Sequence, residues 1–508
     1  MKRRLPTTYY NPVSIIGTGL ALFGAAASMI LYVIDGLLPQ SNPYLGIFIF
    51  LVFPAVLVLG LLLIPAGMLW EARRRRRGRL AGPLVIDFGL RPHRNAVLVF
   101  ISGTSVFLLL TTVGLYGSYE YSESVEFCGE VCHVVMEPEF VAYHNSAHAR
   151  VACVKCHIGP GAGWYVKSKI SGARQVIKTL SDTYPRPIPT PIEDLRPARE
   201  VCEQCHWPEK FFAKQAETRE YVLSDRDNTR WQIHMLMHVG GVGPKGEHTG
   251  SHWHVAEGNR MTYVAGDETR QTIDQVTWFR DGKPVVYTRS GSPLPDSVLA
   301  ESRLHGRERE MDCMDCHTRP AHEYRSPIRC VNQELSAGRL DPGIPWIKRQ
   351  AVVALSREYH TVEGARDSIR ASLESFYRPR NLNLPEAAVE AVVAVYEKNF
   401  FPRMKVRWDR YPDNRSHMEF PGCFRCHGSG LQTAGGQRID ADCNMCHEIT
   451  AQGPAGTVGS MADLSGIRFR HPIDIDEAEQ ALPCTDCHYG DASLYLPKET
   501  RDEMQVAD

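Results

Sequence analysis

The chain has 508 residues, 57 Lys and Arg against 58 Asp and Glu, a formal net charge of −1 and 43% hydrophobic residues. That balance gives no electrostatic reason for a nucleic-acid partner. The average conceals two unlike parts, an apolar first 120 residues and a polar remainder rich in proline and histidine.

Three stretches read as transmembrane helices: Val13–Ile34, Leu45–Trp70 and Ala96–Tyr116. Each is near the roughly 20 apolar residues that cross a bilayer. None carries an interior charge, and Pro54 and Pro65 are tolerated in a membrane helix. Lys2, Arg3 and Arg4 precede the first span, and Arg73–Arg77 with Arg79 follow the second. Basic flanks stay in the cytoplasm, so the third span delivers everything beyond Tyr116 to the periplasmic side of an inner membrane. The first span also matches a cleaved signal peptide with Ala25–Ala27 as its small-residue site, which leaves that side unchanged.

Beyond the spans, fourteen of the fifteen cysteines fall into pairs closed by a histidine. In chain order these are Cys128/Cys132/His133, Cys153/Cys156/His157, Cys202/Cys205/His206, Cys313/Cys316/His317, Cys423/Cys426/His427, Cys443/Cys446/His447 and Cys484/Cys487/His488. Two thiols at this spacing reach the two vinyl groups of a haem, and the adjacent histidine is held beneath the iron. Disulfides and zinc knuckles also use paired cysteines, but neither explains a histidine directly after every second one. The first motif has one extra residue between its cysteines. Cys330 stands alone and reads as a small buried apolar side chain.

The motifs divide the chain into an anchor (1–120), a three-haem segment (121–207), a β-containing insertion (208–311), a bridging-haem and helical segment (312–410) and a C-terminal three-haem segment (411–508). In the insertion, Val276–Arg280, Asp281-Gly282 and Val285–Thr288 predict a hairpin around an Asp-Gly turn. Trp346–His360, Ala365–Tyr377 and Pro385–Asn399 carry helical periodicity, with Pro345 and Pro385 where helices start. The expected fold is a mostly α and irregular multihaem cytochrome c with three N-terminal transmembrane helices and a small β insertion, much of its apolar interior being porphyrin.

Twelve histidines outside the motifs lie beyond the third span. Such a surplus favours two histidines per iron, and therefore electron transfer rather than substrate binding at the metal. The preferred distal candidates are His148, His322, His417 and His471, followed by His238, His254 and His360, with His234, His248 and His252 as near competitors. Met136, three residues after His133, is an alternative axial ligand that would raise the first haem's potential; packing against the haem is the plainer reading.

The run Glu126-Phe-Cys128-Gly-Glu-Val-Cys132-His133-Val-Val-Met136 follows an apolar helix. Ser146-Ala-His148, Cys153-Val-Lys-Cys156-His157 and Gly163-Trp-Tyr-Val-Lys167-Ser-Lys169 come next. Together they resemble the NapC/NirT/NrfH quinol dehydrogenases over roughly 116–206. The whole architecture is similar to the longer seven-haem inner-membrane members of that family, the ImcH type of metal-reducing bacteria. The resemblance implies seven haem c groups, a first haem at the membrane surface and a menaquinol-like donor. It also implies periplasmic c-type cytochromes or a reductase as acceptors in anaerobic respiration. Met136 then matches the family's iron-ligating methionine, and Lys167 or Lys169 its quinol-pocket lysine. No acid lies between Lys167 and Leu180 to match the pocket carboxylate, so Glu137, Glu139, Asp182 or water is left to take the quinol protons.

The alternatives are a periplasmic reductase of a small substrate such as nitrite or hydroxylamine at an open haem, and a carrier reduced only by a protein partner. The plentiful histidines and the absence of a lysine-ended motif weigh against the first. Three spans exceed what a tether needs and weigh against the second. Oligomeric state is open.

Overall fold

The computed structural model describes residues 6–37, 48–77, 88–131, 133–189, 196–207, 213–242, 248–256, 258–458 and 466–495. They form two compact units, Met1–His133 and Val134–Asp508.

Among the described residues of the first unit are the α-helices α1 (Pro12–Leu37), α2 (Phe53–Arg77) and α3 (Arg91–Ser122). α1 and α2 pack as a hairpin whose backbones touch at glycines. A Cβ on Gly17 would lie 2.8 Å from the Gly60 carbonyl, and one on Gly67 would lie 2.6 Å from Ser14 Oγ. Ser14 Oγ in turn donates to the Ile64 carbonyl at 2.9 Å. Small residues and a hydroxyl bond hold helices together where the surroundings are as apolar as the side chains. Among the described residues two helices, rather than the expected three, are long and apolar enough to cross a membrane: Pro12–Ile34 and Phe53–Arg75. The third expected span lies in α3, several of whose side chains fall outside the described residues, as do Lys2–Arg4, Arg79 and the start of the second expected span at Leu45.

Among its described residues the second unit is mostly helix and irregular chain with two four-stranded sheets. In the first sheet β1 (Ala213–Val222) and β8 (His447–Pro454) pair antiparallel on either side of β2 (Arg230–Val242), whose end also pairs with the short β3 (His248–Thr249). The second runs β6 (Lys283–Thr288), β5 (Ile273–Arg280), β4 (Arg260–Ala265), β7 (Glu308–Glu310). β5 and β6 are joined at Asp281-Gly282, both at positive φ, 50° and 76°. That backbone is what a two-residue turn between twisted strands requires, and Asp-Gly is the pair that tolerates it. The β structure is not a self-contained insertion: β8 follows the sixth motif directly, so a sheet joins strands more than two hundred residues apart.

The main core is built by α6 (Pro327–Ser336), α7 (Ile347–Leu355), α8 (Val362–Tyr377) and α9 (Glu386–Asn399). Ile347, Val352, Ile369, Leu373, Val389 and Val392 are all buried there. The caps follow from sequence: Ser326 accepts from Arg329 N–H at 3.2 Å, Thr361 accepts from Gly364 N–H at 3.0 Å, and Pro385 precedes α9. This segment owes its packing to its own side chains, in contrast to the porphyrin-filled interior expected from the motif density.

Candidate haem sites

The motifs share a local fold. The backbone N–H of His206, His317, His427 and His488 donates to the carbonyl of the first cysteine of its motif, at 2.8, 2.9, 3.0 and 2.8 Å. One tight turn thus places both thiols and the imidazole on the same side of the chain. At Cys313 the turn is fixed by a reciprocal cap, with Asp312 accepting from Met314 N–H and Asp315 accepting from Asp312 N–H.

Six motif histidines each face a second histidine ring. Centroid separations are 6.0 Å for His206 and His148, 6.2 Å for His157 and His322, and 6.4 Å for His317 and His252. They are 5.8 Å for His427 and His254, 6.2 Å for His447 and His417, and 6.1 Å for His488 and His471. Two imidazole nitrogens each about 2 Å from one metal ion put their ring centroids about 6 Å apart. The facing rings therefore have the spacing of two axial ligands on a common iron.

Tautomers agree with this. Nδ1 lies within hydrogen-bond distance of a backbone carbonyl in His148 (Pro320, 3.2 Å), His322 (Glu139, 3.0 Å), His252 (Val239, 2.7 Å), His254 (Ser251, 2.9 Å) and His471 (Ile473, 2.8 Å). Donating Nδ1–H to a carbonyl leaves the Nε2 lone pair to bind a metal. His417 differs, its Nδ1 lying 3.9 Å from Cys484 Sγ.

Two expected distal histidines are placed otherwise. His238 has Nδ1 3.2 Å from the Met445 carbonyl and Nε2 2.9 Å from Glu448 Oε2, so both nitrogens face other partners. His360 is exposed in the turn before α8. The ring facing His317 belongs instead to His252, one of the near competitors. The signal that separates them is local: the turn Ser251–Val255 presents His252 and His254 two residues apart to two different motifs. His234 lies on β2, and the side chain of His248 falls outside the described residues.

The thiols also meet across motifs, in chain order. Cys156 neighbours Cys205. Cys202 neighbours Cys313, Cys316 neighbours Cys423 and Cys426, Cys446 neighbours Cys423, and Cys484 neighbours Cys443. The turn Ala198–Cys202 packs against both Cys153–His157 and Cys313–Cys316.

Exposure differs between the two thiols of one motif, as at Cys487. Its motif partner Cys484 is half-buried, whereas Cys487 is exposed just after the turn Cys484–Asp486, with its backbone N–H donating to the Cys484 carbonyl at 3.1 Å. Cys156, Cys205, Cys423 and Cys443 are exposed as well.

At the first motif Cys128 lies in the turn Phe127–Val131, and Cys132 and the His133 side chain are outside the described residues. Met136 is half-buried one turn into α4 (His133–His144). Lys167 Nζ sits 4.9 Å from the Trp164 ring centroid and Lys169 Nζ 4.9 Å from that of Tyr165, on α5 (Ala162–Leu180). Of the candidate bases, Glu137 is exposed and Asp182 pairs with Arg186. Glu139 is buried 3.2 Å from Arg319, and burial pushes its pKa up against that cation. Cys330 is buried, which raises its thiol to about 12.

Paired imidazoles with room for one ion, beside two thiols one turn apart, fit haem c. Among the described residues no three His, Cys, Asp or Glu side chains are grouped to hold a bare metal ion, which does not suit a zinc knuckle. The pattern of the NapC/NirT cytochrome c family, N-terminal region, matches residues 91–187. The chain is 40% identical over 496 residues to the cytochrome c-type protein ImcH of Geobacter sulfurreducens, covering 94% of this chain and 95% of that protein. It belongs to the NapC/NirT cytochrome c family and is a membrane-anchored multihaem cytochrome of electron transfer. Within that family it is similar to ImcH along nearly its whole length. No solved structure matches it.

Proposed function

We propose that the chain binds seven haem c groups, oxidises a menaquinol-like quinol at the first, and conducts the electrons to periplasmic acceptors. The observation that carries this reading is the set of six facing histidine pairs. In each pair the motif histidine and its partner would hold one haem iron between them, which would keep water and small substrates off the metal. Bound iron supplies one-electron cycling between its ferric and ferrous states. His252, rather than His238 or His360, is the distal ligand at the fourth motif. The first motif's axial ligand is His133 or Met136.

The contacts between cysteines of successive motifs favour an unbranched path running from the second motif to the seventh in sequence order. Lys167 and Lys169 are the candidates to hold a quinol oxygen. Arg73–Arg77 hold the end of α2 in the cytoplasm, so the periplasmic placement of the motifs requires α3 to cross as a third span. The family match begins at Arg91 and thus includes α3.

Purified protein should contain seven irons per chain, and a menaquinol analogue should reduce the haems in a way that a quinone-site inhibitor blocks. Inhibitor-insensitive behaviour with no reduction would overturn the quinol assignment. Lys167→Ala or Lys169→Ala should slow that reduction without changing haem content. His252→Ala should leave one haem high-spin and able to bind carbon monoxide, while His238→Ala leaves the spectrum unchanged. The reverse pattern would reassign the fourth haem's ligand, and stoichiometric carbon monoxide binding by the unaltered ferrous protein would favour a reductase.

A further inference from the structure

α5 is amphipathic the wrong way round. Val166 (55% exposed), Ile170 (54%), Ile177 (66%) and Leu180 (65%) stand on the open side of the helix. Their spacing of four, seven and three residues makes one stripe along about 21 Å of helix. The half-buried side is built mainly from Ser168, Ser171, Gly172, Val176 and Thr179. A helix packed on a water-soluble surface would show the opposite arrangement, with the apolar stripe inward.

The flanks of the stripe are basic. Lys169 lies along one edge and Lys167, Arg174 and Lys178 along the other, and no acidic residue occurs from Ala162 to Leu180. Trp164 and Tyr165 stand at the N-terminal end beneath Lys167 and Lys169. Apolar stripe, cationic borders and an aromatic end are what a helix lying in the plane of a bilayer presents: the stripe enters the acyl boundary and the long cationic side chains reach anionic headgroups.

We propose that α5 is an interfacial helix seated on an anionic lipid surface by Val166, Ile170, Ile177 and Leu180. It is an attachment separate from the spanning helices. This rests on the chain being membrane-anchored and not on quinol being the donor.

The test uses the full-length haem-loaded protein in its air-oxidised state, in nanodiscs of phosphatidylethanolamine and phosphatidylglycerol, with saturation under nitrogen setting each label's baseline. A nitroxide is placed at Ile177→Cys or, on the other side of α5, at the exposed Gln175→Cys, with the unsubstituted chain setting the background. Label at position 177 is expected to collide more with dissolved oxygen than with a water-soluble nickel chelate, and label at position 175 to show the inverse ratio. Equal nickel access at both positions would mean the stripe faces water. Shielding of position 177 from both reagents would mean that protein or porphyrin covers it. Either result overturns the proposal. Collision ratios are read without turnover, so a failure of quinol oxidation leaves this measurement standing.

Discussion

α5 and α8 are helices of similar length, each with an apolar stripe of helical period, and with opposite fates. In α8, Ala365, Ile369, Leu373 and Tyr377 are buried in the main core. In α5, Val166, Ile170, Ile177 and Leu180 are open. Periodicity announces that a helix has an apolar face; it does not say whether protein or something else covers it. The charges do. α8 carries both signs outside its stripe, Glu363, Asp367 and Glu374 with Arg366 and Arg370, whereas α5 has only cations.

The largest effect that separates the two helices is on stability. Ile369→Ala leaves a hole in a filled core and should cost about 2–5 kcal/mol. Ile177→Ala, at an exposed site, should stay within about 0.5 kcal/mol in detergent. Thermal unfolding followed by far-UV circular dichroism checks both. A comparable loss at Ile177 would mean that its stripe is packed after all, and the contrast between the helices would fall.

The cations of the two regions differ as well. Lys348 opens α7 inside the core, with its backbone N–H on Asn228 Oδ1 at 3.1 Å and its Nζ on the Val222 carbonyl. Burial pushes its ammonium down to about 7, against a weaker upward pull from Asp225. An unfolded lysine keeps its proton to about 10.4, so between pH 7 and 10 the unfolded chain binds more protons and stability rises with pH. Below pH 7 both states are protonated and the cost of the buried charge is felt in full. Lys348→Met should therefore stabilise the protein by about 1–4 kcal/mol near pH 6, with the gain fading toward pH 10. A gain independent of pH would show that the amine is solvated in the native state.

Much of this was legible in the sequence because covalent chemistry fixes it. Cys-x-x-Cys-His can be recognised without knowing the fold, since its geometry is complete within one turn. Distal ligands are harder, because each is brought from a distant segment: His322 faces the second motif across 165 residues, and His148 faces the third rather than the adjacent second. His238 and His252 carry the same side chain in the same stretch, and only the Glu448 carboxylate, which arrives with β8 from beyond the sixth motif, diverts His238. The β5–β6 turn was readable from Asp281-Gly282, whereas the pairing of β2 with β8 depends on a long-range contact that no local pattern encodes. The apolar side of α5 was written in the sequence as plainly as that of α8; what was missing was its exposure.

The smallest expected effect concerns a single cation on α5. Each basic side chain near an anionic surface contributes on the order of 1 kcal/mol at low salt, and the attraction is screened beyond about 8 Å at physiological ionic strength. Lys178→Gln should therefore shift the oxygen-to-nickel ratio at position 177 only slightly in phosphatidylglycerol nanodiscs at low salt. The shift should vanish at high salt or in discs of neutral lipid. Lys398→Gln, an exposed lysine at the end of α9, should change the ratio under none of these conditions. A Lys178 effect that survives both high salt and neutral lipid would assign that side chain a packing role. The apolar stripe would then hold α5 at the surface without electrostatic help.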